Sequence, residues 1–280
     1  MPQSAHKGVA DSNRQYAVAL GRAFAGAVIF CLPLLMTMEM WWLGFALHPG
    51  RLLTFSLANF ALLYGLSRVA GFEASHNWID DILDAFAAYA VAALTAAAVL
   101  LLLGVIEAHM PFREVAGKIS LQAVPASFGA MIGAKLLGEG EEIEQEEKHW
   151  RESYAGRLFL ALAGAMFLSF TIAPTEEMRL IAYQMTPWHA LLLVLLSIVA
   201  LHAVVYLVGF PGQERRYGDS PGLDLVRQTL PAYGVSVCGC LYVLWSLGSL
   251  DGASLAFAAT SVAVLGFPAA IGAGIARVVV

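Results

Sequence analysis

Charge is what this sequence lacks most. Asp, Glu, Lys and Arg make up 13% of its 280 residues, too little polar surface for a water-soluble domain. The formal net charge is −5, so there is no basic footprint for a nucleic-acid partner. Cysteine is nearly missing as well: the three present, Cys31, Cys238 and Cys240, imply no disulfide framework. Cys238 and Cys240 stand two residues apart, which on a helix points their side chains about 200° from one another. They cannot chelate an ion from one face and read as small packing residues. No zincin pattern, Gly-rich phosphate loop or Cys-x-x-Cys occurs, and neither enzymatic activity nor a cofactor beyond a bound cation is expected.

What is present is apolar. Hydrophobic residues make up 59% of the chain and the mean hydropathy is +0.70. A helix needs about 20 apolar residues to cross a bilayer core. Windows of that kind begin near Ala23, Leu52, Ile82, Ile119, Leu158, Trp188, Leu225 and Ala253. The fourth, from Ile119 to Leu137, is the weakest, diluted by Gln122, Pro125 and small residues. No strand-like alternation appears, so the expected fold is an all-α integral membrane bundle of about eight transmembrane helices. Lys7, Arg14 and Arg22 precede the first run, which continues past Pro33 to Phe45. That is too long for a secretory signal and lacks a cleavage pattern, so it reads as a retained first helix. If the N-terminus is cytoplasmic, all Lys and Arg except Arg51, Arg113, Lys118 and Arg179 fall inside. This bias predicts both termini in the cytoplasm.

The chain also matches itself. Gly26-Ala27 falls on Gly164-Ala165, Thr37 on Thr175, Glu39-Met40 on Glu177-Met178, Pro49 on Pro187, and Gly71-Phe72 on Gly209-Phe210. After a longer loop, Ala88-Tyr89 falls on Ala232-Tyr233, Leu103-Gly104 on Leu247-Gly248, and Glu107 on Asp251. Near the end, Pro125-Ala126 falls on Pro268-Ala269 and Gly129-Ala130 on Gly272-Ala273. The expected organisation is a cytoplasmic segment 1–22, a four-helix unit 23–137, an acidic cytoplasmic linker 138–157, and a second four-helix unit 158–280. Even numbers of spans would relate the units by a pseudo-twofold axis along the membrane normal. The glutamates of the linker read as a solvated segment, with cation sensing or partner docking as the other role.

Glu39 and Glu177 are the carboxylates that both copies keep inside an apolar stretch, each two residues after a threonine. A charge at membrane depth is costly and usually faces a bundle interior or a watery cavity. Read as part of the first helix, Glu39 falls in the outer leaflet, before the interface residues Trp41 and Trp42. Pro33 and Pro174 free carbonyls in the same turns. Carbonyls, the hydroxyls of Thr37 and Thr175 and the two carboxylates are hard oxygen ligands suited to small cations. The expected metal or ion site is thus Glu39 and Glu177 sharing one cation, with Thr37 and Thr175 beside them and Glu107 and Asp251 adding acid to the outer face. The other account makes each glutamate a capping residue or a partner of Arg51, Arg113 or Lys118. Glu176 reads as a local partner of Arg179, and Asp81 and Asp224 read as helix caps. The glycines of the last helix in each copy, Gly129, Gly133, Gly272 and Gly274, suit close helix packing.

The strings Met38-Glu39-Met40-Trp41-Trp42 and Ala173-Pro174-Thr175-Glu176-Glu177 resemble an uncharacterised family of bacterial integral membrane proteins. The likeness covers most of the chain and implies a bacterial inner-membrane location. Two functions fit these readings: a channel or secondary transporter for a small cation, gated or loaded at Glu39 and Glu177, or a membrane-embedded sensor or scaffold without transport. The expected partners are the lipid bilayer and a small cation, with homo-oligomerisation left open.

Overall fold

Residues 3–70, 78–137, 150, 153–208 and 221–279 are described by a computed structural model of the chain. The acidic run from Glu139 to Glu147 and the pair Gly71-Phe72 with Gly209-Phe210 lie outside them. The chain forms two compact units, Met1–Glu144 and Gln145–Val280, and among the described residues there is no strand.

The first unit contains α1 (Gln3–Leu35), α2 (Met38–Ala46), α3 (Pro49–Ala70), α4 (Trp78–Leu102) and α5 (Phe112–Leu136). The apolar run expected to continue to Phe45 as one helix breaks after Leu35. Pro33, inside the last turn of α1, cannot donate to the preceding turn, and Thr37 takes an extended conformation (φ −89, ψ 117) that starts α2 as its N-cap. Pro49 opens α3, where a missing N–H costs nothing. Gly104 closes α4 at φ 71, a left-handed position that glycine fills without a Cβ penalty. The Val105 amide bonds to the Leu100 carbonyl at 2.9 Å and the Gly104 amide to Leu101 at 3.1 Å, the paired closure of a Schellman turn.

The second unit contains α6 (Tyr154–Ile172), α7 (Glu176–Gln184), α8 (Pro187–Val208), α9 (Pro221–Asp224), a π-helical segment (Leu225–Thr229), α10 (Leu230–Ser246) and α11 (Leu255–Val279). Ser153 caps α6 by accepting the Gly156 amide at 3.0 Å, and Thr175 caps α7. Gly248, at φ 73, ends α10 with the same closure: Ser249 to Leu244 at 2.9 Å and Gly248 to Trp245 at 3.0 Å. Both units therefore run through a long helix, a 9-residue helix, a proline-started helix of 22 residues, a helix ending at a left-handed glycine, and a 25-residue helix with an internal proline.

Glycines set the closest helix contacts. A Cβ on Gly26 would run into the backbone of Gly129 and Gly133, and one on Gly164 would run into Gly272. α1 meets α5, and α6 meets α11, backbone to backbone, as small-residue faces allow. Gly117 of α5 approaches the Gly44 carbonyl of α2 in the same way.

Seven helices of the described residues are long and apolar enough to cross a membrane: Tyr16–Leu35, Trp78–Leu102, Phe112–Ala134, Tyr154–Ile172, Pro187–Val205, Gly222–Ser246 and Leu255–Arg277. The expected second span, now α3, is not among them; it is 22 residues long but carries Arg51, Asn59 and Arg68. The weak fourth span has a physical explanation. Of the best apolar window in Phe112–Ala134, 72% is buried inside the protein, against 17% in Pro187–Val205. α5 faces protein and tolerates polar residues, whereas α8 presents Leu191, Leu192, Leu195 and Leu196 outward and must match lipid.

Candidate functional site

In the first unit the break between α1 and α2 frees carbonyls, and neighbouring side chains take them up. The Thr37 hydroxyl donates to the Pro33 carbonyl at 2.7 Å, and the Trp41 indole donates to the Leu35 carbonyl at 2.7 Å. Glu39 lies half-buried in the first turn of α2. In the second unit Thr175 donates to the Ile172 carbonyl at 2.9 Å and accepts the Met178 amide at 3.4 Å. Glu176 and Glu177 are exposed in the first turn of α7. A helix start leaves amides unpaired and carries the positive end of the dipole, so all three carboxylates sit where negative charge is favoured.

Glu107 is exposed on the turn after α4, its carboxylate 3.2 Å from His109 Nδ1. Asp251 is exposed on the turn after α10, its amide bonded to the Gly248 carbonyl at 3.1 Å. Among the described residues no three of His, Cys, Asp and Glu gather as a metal-binding group. Lys118, weighed as a partner for an outer glutamate, is committed within its own unit. It is buried, with Nζ 2.7 Å from Glu114, donating to the Val105 carbonyl at 3.2 Å and 3.6 Å from Met110 Sδ.

The interior of the first unit holds polar groups, of which sequence reasoning read Asp81 as a cap and kept Asp84 as a minor candidate. Asp81, in the first turn of α4, is 4% exposed, and Asp84 is 8% exposed. Arg68 Nε of α3 lies 3.4 Å from Asp81 Oδ2. Arg68 also donates to the Tyr64 hydroxyl at 2.9 Å, its guanidinium carbon 5.3 Å from the centre of that ring. Deeper in, Asn59 donates to Ser127 at 3.0 Å and Gln122 donates to the Leu34 carbonyl at 3.1 Å. Asp81 Oδ1, Asn59 Oδ1 and Gln122 Oε1 are sealed from solvent with no hydrogen-bond partner. The available signals were the three-residue spacing of Asp81 and Asp84, which puts both on one face, and an amide inside an apolar run.

The second unit answers the same positions differently. Counting back from Pro125 and Pro268, Lys118 matches Ser261 and Gln122 matches Leu265; Asn59 matches Ser197. Ser197 donates to the Leu193 carbonyl of its own helix at 2.7 Å and also bonds the Tyr233 side chain of α10. Where α8 meets the π-helical segment, His202 Nδ1 pairs with Thr229 Oγ1 at 2.9 Å. Gln228 donates to Asp224 at 3.3 Å. The string Gly218-Asp219-Ser220-Pro221-Gly222 has the Gly-x-Ser-x-Gly form of a nucleophile elbow, which corrects the expectation that the chain has no glycine-flanked serine. That elbow requires a strand before its helix; no strand exists among the described residues, and Ser220 lies outside them.

The chain belongs to the family described as "Putative integral membrane protein (DUF2391)", whose model matches residues 19–280. No curated protein and no solved structure matches the chain. Family and apolar helices together make this a multi-pass integral membrane protein.

Proposed function

We propose that this chain is a channel or secondary transporter for a small cation in the inner membrane of a bacterium. The proposal counts α3 as an eighth span, keeps both termini cytoplasmic and treats the two units as tandem copies of one design. The observation that carries it is the set of ionisable side chains buried in the apolar first unit: Asp81, Asp84 and Lys118. Each such group costs about 2.5–3.5 kcal/mol or more at the centre of a bilayer, so its presence argues for function. On this reading Glu39 and Glu177, with Thr37 and Thr175 behind them and Glu107 and Asp251 on the turns after α4 and α10, supply negative potential at the outer ends of the units. Such potential concentrates cations.

The test is flux into proteoliposomes for Na⁺, K⁺, Ca²⁺, Mg²⁺ and H⁺. One of these should move, several-fold more slowly in Glu39→Gln and Glu177→Gln, with Glu176→Gln close to the parent. A membrane-embedded sensor or scaffold is the second reading. It is favoured by the helix-start geometry, which accounts for both glutamates without any ion. Absence of flux for all five cations would leave that reading in place.

A further inference from the structure

The end of the first unit where α3 closes and α4 opens combines three features that a helix cap does not explain. Asp81 is 4% exposed, and among the described residues Arg68 answers one of its oxygens, at 3.4 Å. Its other oxygen, Oδ1, is buried with no partner. A carboxylate out of water with an unanswered oxygen carries a desolvation cost that a contact as long as 3.4 Å does not offset. Arg68 is meanwhile a loosely held partner. Its side chain is 45% exposed, and Tyr64 binds it both through the hydroxyl and through the ring face.

We infer that Asp81 is the centre of a binding site for a small hard monovalent cation in the first unit, with Arg68 as the tethered cation that occupies it otherwise. The ligand chemistry is oxygen throughout: Asp81 Oδ1 and the Asp84 carboxylate one turn further along the same face of α4. Hard oxygen donors select alkali over transition-metal ions. A monovalent ion replaces the guanidinium charge for charge as Arg68 swings to its second anchor on Tyr64. At the matching end of the second unit a neutral amide, Gln228, donates to Asp224 at 3.3 Å, in place of an exchangeable guanidinium. That unit is therefore an internal control.

This site deepens the cation reading above, but occupancy is measured without flux, so the two can fail separately. The experiment is thermal unfolding of the full chain purified in detergent, in NaCl, LiCl or KCl against choline chloride at equal ionic strength. A ligand that binds the folded state raises the midpoint in proportion to its occupancy. One alkali cation should raise it over choline in the parent, in Glu39→Gln and in Asp224→Asn. The shift should vanish in Asp81→Asn and shrink in Asp84→Asn. Arg68→Gln removes the tethered competitor, so the cation should then act at several-fold lower concentration, which a purely structural ion pair does not predict. No alkali-specific shift in the parent, an undiminished shift in Asp81→Asn, or weaker cation dependence in Arg68→Gln would each overturn the site. If Asp81→Asn does not fold, the Arg68→Gln titration decides alone.

Discussion

Where the first unit buries Lys118 against Glu114, the second buries Ser261. Where the first buries Gln122 against the end of α1, the second has Leu265, fully buried. Asn59 reaches across to Ser127 of α5, while the smaller Ser197 bonds the Leu193 carbonyl and reaches Tyr233 of α10. The 9-residue helices, the proline starts at Pro49 and Pro187 and the left-handed Gly104 and Gly248 nevertheless recur in both units. The frame therefore depends on backbone contacts and helix ends, which both sequences supply, and leaves matched interior positions free to carry a lysine and amides in one unit and serines and a leucine in the other. A polar interior is tolerated only where each charge finds a partner, and the first unit supplies those partners from loops and helix ends rather than from more core.

The largest expected effect tests the shared frame. Gly26→Val and Gly164→Val each push a side chain into a facing backbone, with no flexible neighbour to yield. Each should cost about 3 kcal/mol or more, at the upper end of overpacking effects, read by unfolding in detergent. If one unit tolerates its valine, the two backbones do not approach alike.

A smaller effect should separate the interiors. Lys118→Met strands Glu114 and the Val105 carbonyl. With Glu114 still 26% exposed, the loss should be about 2 kcal/mol, less than for a fully buried broken pair. Ser261→Ala removes a buried hydroxyl that has no partner and should change stability by about 0 to 1 kcal/mol, in the stabilising direction. Comparable losses at the two positions would erase the contrast.

The smallest effect lies at the helix starts. Thr175 accepts an amide as a cap, so Thr175→Ala should cost about 1 kcal/mol. Thr37 makes no cap bond and only donates to Pro33, so Thr37→Ala should cost less. A larger loss at Thr37 would mean that the break after Leu35 leans on that hydroxyl more than on Pro33.

Much of the frame was legible in the sequence, because prolines, glycines and apolar windows are local signals. Windows expected near Leu158 and Trp188 became α6 and α8. The break after Leu35 was not read, because an apolar run looks the same whether one helix or two short of a span carry it. The usable signal was Thr37-Met38-Glu39, repeated as Thr175-Glu176-Glu177: a capping hydroxyl followed by first-turn acid. The same break moved the candidate glutamates from mid-helix to a helix start. Asp81 was legible as a first-turn acid, but its burial and its contact with Arg68 arise from packing between α3 and α4, which no spacing encodes. Lys118 was expected among the residues at the outer face. Its burial comes from the turn after α4 folding over it, with Val105 as acceptor.

Among the described spans α5 is the one most enclosed by protein, packed against α1, α2, α3 and α4, and it is synthesised after all four of them. A segment carrying Lys118 and Gln122 has a weak partition into lipid by itself. Its neighbours, however, have all left the ribosome before it does. Membrane entry of α5 should therefore depend on helices already inserted, and a version of the chain that begins after α4 should deliver this segment to the translocon as a poor stop sequence.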